Sequence, residues 1–481
     1  MSSTLSNLLW KFAERISSQL VSFVVSIVLA RILAPSDYGT VSMVMIFVTL
    51  ANVFVEGGFS SALIQKQDAD KLDFSTVFYF SIFLSIILYI VLYISAPYVA
   101  LFYGDDYEIL TPVLRVIGLQ IIIYGANSVQ QAYVSKQMMF RKFFWSTLAG
   151  TLVSALVGLL MAYYGYGIWA LVSQQIVMTV VNTLVLYLVT RKLPGLMFSF
   201  KRLKGLFVYG AKILSASILT TLFIDIRSLI IGKVYSPKDL AFFDRGRQFP
   251  NLIVTNINSS VGAVLFPKMS QEQGDKQRVK QICRDSIRFG SFLMMPLMMG
   301  LAVCAEPIVR LLLTDKWIQC VPFLQLFCIV YMFYPMHTAN IQAIKALGHS
   351  GTYLKLEIIK KTIELICLLI VMKISVKAIA VNMVVLTSLF TLLNAYPNIK
   401  LLGYSFKEQM KDILPSTINS LIMAFVVYII GEILSLSDIY LLFVQVISGF
   451  LIYIVLSCLF SNKELKFIYS ILLSKIHYAN K

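Results

Sequence analysis

Apolar residues in this chain run in long, nearly continuous stretches, near 13–33, 39–62, 74–99, 112–133, 143–163, 167–189, 208–232, 240–266, 288–312, 320–343, 353–373, 376–397, 413–433 and 438–460. A helix needs about 20 mostly apolar residues to cross the hydrocarbon of a bilayer, so each stretch reads as a transmembrane helix. The fold class expected is an all-α polytopic membrane protein with about fourteen spans. Its connections are short, which leaves no room for a sizeable soluble domain. Only 14% of the 481 residues are charged, against roughly 25% in soluble domains. The runs are also too continuous for the alternating strands of a membrane β-barrel.

A net charge of +17 would suggest nucleic acid in a soluble chain, but here the placement of the charge decides. Lys and Arg gather in the N-terminal segment, in alternate loops (Lys66, Lys71; Lys136, Arg141, Lys142; Arg191 to Lys204; Lys268 to Arg288; Lys345, Lys355; Lys400 to Lys411) and in the tail after 460. By the positive-inside rule both termini are cytoplasmic, as an even number of spans requires. The basic excess therefore anchors the cytoplasmic leaflet, and no nucleic-acid partner is expected. The six cysteines show no C-x-x-C spacing and fall mostly in apolar runs, and only three histidines accompany them. They read as buried small hydrophobes, with no metal site. No short apolar leader with a small-residue cleavage site opens the sequence, so the first span is expected to be retained.

An internal repeat follows the spans. Ala30-Arg-Ile-Leu-Ala-Pro-Ser-Asp37 after span 1 matches Gly232-Lys-Val-Tyr-Ser-Pro-Lys-Asp239 after span 7, and the same offset sets Ala62–Lys66 on Val264–Lys268. Pro97 and Pro112 then fall opposite Pro307 and Pro322. Units six spans apart keep one orientation, which makes them parallel repeats about an axis along the membrane normal. The domains expected are an N-terminal six-helix bundle (1–200), a second bundle repeating it (201–400), and an extra helix pair with a cytoplasmic tail (401–481). A pathway is expected between the bundles.

Ionisable groups inside spans are costly and by default face the protein interior or a water-filled cavity. Span 1 aligns Lys11, Arg15, Ser18, Ser22 and Ser26 on one face, and span 2 aligns Asn52, Glu56 and Ser60. Span 4 aligns Gln120, Tyr124, Asn127 and Gln131; span 7 carries Lys212, Asp225 and Arg227; span 8 aligns Arg247, Asn251, Thr255 and Asn258 after Asp244 and Arg245. Spans 1, 2, 7 and 8 correspond under the repeat, so their polar faces describe a hydrophilic cavity. Its ionisable lining is Arg15, Glu56, Lys212, Asp225, Arg227, Asp244, Arg245 and Arg247, which is net basic and suits an anionic substrate; the planar fork of Arg suits phosphate in particular.

Plainer readings stand beside this one. Arg31, Lys233 and Arg310 lie at span ends, where snorkelling accounts for them, and Arg15 and Lys212 serve equally as anchors. Arg227 and Arg247 could instead form intramembrane ion pairs with Asp225 and Asp244. The stripes could be interhelical hydrogen-bond glue. Glu357 with Lys361, and Lys360 with Glu364, read as structural pairs four residues apart. Pro296, Pro335 and Gly57-Gly58 would loosen spans 9, 10 and 2.

Signs of an enzyme are thin. The chain holds no GxSxG, HExxH, P-loop or dinucleotide fingerprint, and no catalytic residue is assigned. The acidic cluster Asp105, Asp106 and Glu108 reads as a solvated loop ahead of a divalent-metal site.

The stretches Leu29–Gly39, Glu56–Gln65, Phe242–Gln248, Val264–Lys268 and Asp315–Gln325 together resemble the oligosaccharide flippases of the multidrug/oligosaccharidyl-lipid/polysaccharide exporter superfamily. The likeness is to the branch of exopolysaccharide and colanic-acid translocases. The resemblance covers about Lys11 to Gln342, beyond which only hydropathy agrees. It implies a transporter that flips an undecaprenyl-pyrophosphate-linked oligosaccharide from the cytoplasmic to the periplasmic leaflet of the bacterial inner membrane. It further implies a cationic cavity lined by spans 1, 2, 7 and 8, alternating access, and coupling to H+, Na+ or the membrane potential, with no cofactor. Membrane lipid and polysaccharide polymerase or export machinery are the partners to expect, and the chain is expected to act as a monomer.

On that reading Arg227, Arg245 and Arg247 clamp the pyrophosphate, with Arg15 and Lys212 nearby, while Glu56, Asp225 or Asp244 exchanges protons or cations. Asn52, Asn127, Gln131, Asn251 and Asn258 line the polar cavity. A glycan head group cannot cross hydrocarbon, because its hydroxyls and phosphates would lose their hydrogen bonds to water. Two rivals stay open. A cation-coupled drug exporter of the same superfamily would carry a more acidic or aromatic cavity, and a membrane polysaccharide polymerase or glycosyltransferase would need a long extracytoplasmic loop.

Overall fold

A computed structural model describes residues 3–104, 107–191 and 194–460, and every element among them is helical. Asp105 and Asp106 of the acidic cluster, Lys192, and the basic tail after 460 lie outside the described residues. In chain order the helices are α1 (Ser3–Ile32), α2 (Pro35–Glu56), α3 (Phe59–Gln65), α4 (Lys71–Tyr103), α5 (Leu110–Ile117), α6 (Leu119–Lys136), α7 (Phe140–Tyr163), α8 (Ile168–Thr190) and α9 (Phe200–Val234). They continue with α10 (Pro237–Gln271), α11 (Lys276–Val303), α12 (Ala305–Leu313), a 3-10 turn (Asp315–Cys320), α13 (Val321–Met332), α14 (Tyr334–Ala346), α15 (Ser350–Val371), α16 (Val376–Leu402), α17 (Phe406–Ile433) and α18 (Asp438–Phe460).

The chain is an all-α, multi-pass membrane protein. All fourteen apolar stretches fall on helix, and among the described residues twelve helical segments are long and apolar enough to cross a bilayer. The two expected spans outside those twelve are polar ones. Helix α15 carries Lys355, Glu357, Lys360, Lys361 and Glu364, and α10 opens with Lys238, Asp239, Asp244, Arg245 and Arg247. The ninth stretch, expected at 288–312, is shifted. Helix α11 already starts at Lys276, capped by the Asp275 side chain on the amides of Gln277 and Arg278, and it ends at Val303 before α12. The basic residues from Lys276 to Arg288 are therefore its first turns and not a loop.

The repeated motif has a local cause. In Ala34-Pro35-Ser36-Asp37 the proline sits in the first turn of α2 and Asp37 Oδ2 accepts the Ala34 amide at 3.2 Å. In Ser236-Pro237-Lys238-Asp239 the Ser236 hydroxyl accepts the Asp239 amide at 3.1 Å and donates to its carboxylate at 2.6 Å. Both copies thus write a helix start, with Pro where no amide partner is needed and an acid facing the unpaired N–H groups. The copies also touch, since a β-carbon on Gly39 would fall 1.7 Å from the Pro237 carbonyl oxygen.

The helices form two compact units, and the chain divides between them after Ala241. In the first, α7 packs most extensively on α8 and α1, α4 on α6, and α9 on α2, α3 and α4. Helix α7 buries Ser146, Gly150, Ser154, Gly158 and Ala162 at a spacing of four. A β-carbon on Gly150 would stand 3.0 Å from the Met178 carbonyl of α8. Lipid supplies no hydrophobic force between helices, so close backbone approach over small residues holds this pair together. The opposite face presents Leu152, Leu156 and Leu160 outward. Span 2 is broken at Gly57 and Gly58, both left-handed (φ 50° and 69°), and the break lies against Gly210 of α9. Phe59, Ala62 and Leu63 of α3 share a cluster with Leu203 and Leu206 of α9.

In the second unit α11 packs on α17, α13 and α14, and α16 packs on α13, α14 and α15. Pro296 lies inside α11, whereas Pro335 stands in the first turn of α14 just after Phe333 ends α13. A buried amide network ties α17 to this core. Asn340 donates to Gln409 Oε1 at 2.8 Å and its own Oδ1 accepts from Asn398 at 2.7 Å. Helix α18 joins through Tyr453, whose hydroxyl donates to the Phe292 carbonyl at 2.7 Å.

Candidate functional site

In the first unit the polar stripes divide into glue and open surface. Ser18 of α1 meets Thr151 of α7 at 3.2 Å, and Lys11 is held by Glu14 at 2.9 Å and lies over the Phe143 ring. Ser60 of α3 donates to the Ser128 carbonyl at 3.4 Å. The stripe on α6 splits. Tyr124 donates to Glu56 Oε2 of α2 at 3.4 Å, while buried Asn127 turns the other way and donates to Asn182 of α8 at 3.2 Å. Asn52 is half-buried, with its Oδ1 buried and without a hydrogen-bond partner among the described residues, and Gln131 is half-buried too.

Other charged groups reach the surface. Arg15, Glu56 and Lys212 are exposed, and Asp225 and Arg227 are half-buried near the far end of α9. Lys233, at that end, rests 5.0 Å over the Phe102 ring, and Arg310 in the second unit pairs with Glu306 at 2.8 Å, as span-end cations are expected to do.

On α10 of the second unit the three expected groups part company. Arg247 pairs with Asp244 at 3.4 Å, both about a quarter to a third exposed (31% and 24%), so the ion pair and an open position coexist. Arg245 is only 6% exposed; it donates to Gln248 Oε1 at 2.7 Å and lies 4.9 Å over the fully buried Trp317 ring. Its guanidinium is committed to the protein interior. Gly246 explains the tightness, because a β-carbon there would stand 2.6 Å from Phe323. Asn251 is exposed and accepts from Thr255 at 3.4 Å.

Asn258 lines a cavity of about 400 Å³ together with faces of α14, α15 and α16. Its other lining groups include Tyr334, His337, Gln342, Lys345, Tyr353 and Lys360. None of these was singled out from the sequence as a site residue. The signal was there: Tyr334, His337, Thr338, Ile341, Gln342 and Lys345 recur at steps of three and four on α14, the same spacing that marks the other stripes. His337 is held by Asn394 at 2.8 Å and Thr391 at 3.0 Å. On α15 the close ion pairs join Lys360 to Glu357 and Lys361 to Glu364. The partners are three residues apart, not the four that the sequence spacing suggested.

Two ionic clusters stand at helix ends, and only their basic members, Lys66, Arg202, Arg284 and Arg288, were read from the sequence, as topology signals. Asp412 of α17, fully buried, accepts from Arg284 at 2.9 Å, Arg288 at 2.8 Å and Tyr404 at 2.8 Å. Asp73 of α4, also fully buried, holds Lys66 at 2.6 Å and Arg202 at 3.5 Å. Both tie distant segments together and neither has free acid to offer. Among the described residues no group of three or more His, Cys, Asp and Glu is placed to hold a metal ion.

Comparison with known proteins matches residues 28–322 to a family described as polysaccharide biosynthesis protein. The chain is 26% identical over 321 residues to the succinoglycan biosynthesis transport protein ExoT of Rhizobium meliloti (strain 1021), covering 66% of this chain and 64% of that one. It is 23% identical over 302 residues to the teichuronic acid biosynthesis protein TuaB of Bacillus subtilis (strain 168), covering 62% of each. The match thus spans a little under two thirds of either relative. Among solved structures the lipid II flippase MurJ, in an inward closed conformation, superposes with a TM-score of 0.76 at 18% identity, covering 95% of this chain and 100% of that one.

Proposed function

The chain belongs to the polysaccharide biosynthesis protein family, and from that premise we propose that it flips a polyprenyl-pyrophosphate-linked oligosaccharide across the membrane by alternating access. The observation that carries the reading is charge kept accessible on otherwise apolar helices: Glu56, Lys212, Asp225, Arg227, Asp244 and Arg247 all hold exposed or part-exposed positions. Ionised side chains persist at bilayer depth where water reaches them, and a water-filled path is what a glycan head group needs. The names of the relatives, a succinoglycan transport protein and a lipid II flippase, support a lipid-linked glycan as cargo.

The residues take distinct parts. Arg227 and Arg247 offer forked donors to the pyrophosphate, with Arg15 and Lys212 adding positive charge toward the entry. Arg245 holds α10 on Trp317 so that Arg247 is presented in register. Glu56, Asp225 and Asp244 are the carboxylates able to exchange a proton or Na+ as the protein opens. Asp244 is the most direct of these, because protonating it releases Arg247 for the substrate. The head group crosses unchanged, so no catalytic residue is assigned. The direction is cytoplasmic to periplasmic leaflet, in a bacterial inner membrane, with both termini cytoplasmic and the chain acting as a monomer that hands its product to polymerase or export machinery.

The test is translocation in liposomes holding the purified chain and a synthetic undecaprenyl-pyrophosphate oligosaccharide, with and without an imposed ion gradient and membrane potential. Protein-dependent arrival of glycan on the far leaflet is expected. No movement of several such glycans, together with efflux of a cationic dye, would replace this reading with a drug exporter.

A further inference from the structure

The cavity of about 400 Å³ between α10, α14, α15 and α16 lies wholly within the second unit, and its chemistry differs from that of the arginine-bearing face of α10. No carboxylate lines it, while two ammonium groups do. Lys360 is compensated by Glu357. Lys345 has no carboxylate partner among the described residues, and its Nζ lies 4.0 Å from the centre of the Tyr353 ring. A cation whose only counterweight is a ring face carries charge that an anion would satisfy. The amides of Asn258 and Gln342 make no side-chain hydrogen bond among the described residues, so each keeps donors and an acceptor to offer. Tyr334, Tyr353 and Phe390 add flat apolar surface.

We propose that this cavity is a subsite for one acidic sugar unit of the transported glycan, with Lys345 meeting the sugar carboxylate. The inference rests on the flippase reading and deepens it by naming a feature of the substrate. Three properties choose this ligand over the pyrophosphate. The cavity holds no arginine, the residue whose fork matches phosphate. It pairs amides with aromatic faces, which together fit a ring having hydroxyls at its edge and C–H groups on its face. Its size lies at the lower end of small-ligand pockets, roughly 300–1,000 Å³, right for a single monosaccharide. Lys360, deeper and already paired, fixes the positive potential of the floor without needing the ligand.

The experiment is calorimetric titration of the full-length protein in detergent with two free disaccharides, one ending in glucuronic acid and one in glucose. The wild type is expected to bind the acidic probe at least about tenfold more tightly, the scale of one charge-assisted hydrogen bond. Lys345→Gln should abolish the preference, and Lys345→Arg should keep most of it. Equal binding of both probes, or a preference untouched in a Lys345→Gln protein that melts like wild type, would overturn the proposal. The liposome assay separates the two readings. Flipping without an acidic preference removes only the subsite, whereas acidic preference without flipping removes only the flippase.

Discussion

Gly58 and Gly210 meet backbone to backbone, so closely that a β-carbon on Gly58 would stand 2.3 Å from the Gly210 carbonyl oxygen. The contact lets the break between α2 and α3 seat against α9, and the left-handed Gly58 (φ 69°) makes a side chain costly twice over. Gly58→Ala is expected to destabilise the protein by about 2–4 kcal/mol, from backbone strain and overpacking together. Gly205 on the same helix α9 has open space around it, and Gly205→Ala should stabilise by about 0.5–1 kcal/mol. Thermal unfolding in detergent checks both, and equal effects would contradict the contact.

Asp412 anchors α17. Replacing it with Asn leaves Arg284 and Arg288 facing a buried group that no longer carries charge, at a cost of about 3 kcal/mol. The neighbouring Lys280–Glu408 pair at 3.2 Å is 25% and 38% exposed, and Lys280→Ala should cost less than about 1 kcal/mol. Limited proteolysis of the loop around Gly403 is the measurement. Asp412→Asn should accelerate cleavage there strongly, and Lys280→Ala, which removes one exposed pair and the hydrogen bond to the Gly403 carbonyl at 2.7 Å, should do so by less.

Arg245 and Arg247 stand two residues apart and should fail differently. Arg245→Gln is expected to lower the melting temperature, because it removes the guanidinium packed on Trp317. Arg247→Gln should melt near the wild type yet slow translocation at least about tenfold, the loss of one charge-assisted contact. Measuring melting and flipping on the same preparations distinguishes the two. An Arg247→Gln protein that flips at the wild-type rate would remove Arg247 from the head-group site.

Asp70 caps α4, accepting the Asp73 amide at 2.9 Å. That hydrogen bond, helped by the nearby Arg202 charge, holds its carboxyl below the ordinary aspartate range. Because the folded value is the lower one, the stabilisation is present above the unfolded value of about 3.9 and fades as pH falls through the folded value. Asp70→Ala should therefore cost about 1 kcal/mol at pH 7, with the gap to wild type closing as the pH is taken down to about 3. A gap that stays constant down to that acidity would refute the assignment.

Hydropathy carried most of the architecture, since chain-long apolar stretches have few alternatives to membrane helices, and the Pro-x-Asp motif was visible because the same cap is needed at both helix starts. Partners far apart in sequence were hidden. Arg284 and Arg288 read as loop charges because nothing in their local spacing points to Asp412, more than 120 residues on. Arg245 and Arg247 look alike in composition, and only the aromatic floor supplied by Trp317 from another helix turns one inward. The Asn127 side of the α6 stripe was legible as polar but not as directed at Asn182, since a helical wheel gives a face and not its neighbour. Lys345 and Lys360 were passed over because topology and local pairing each accounted for them already.

The five small side chains spaced four apart on α7 also set how this protein can change over generations. Leu152, Leu156 and Leu160, on the lipid side, can trade places with other bulky aliphatics freely, because the surrounding solvent is as apolar as they are. Gly150 and Gly158 cannot accept even one methyl group without pushing on Met178 or Gln174. Drift should accumulate on the outside of such a bundle, and its oldest inheritance should be its smallest residues.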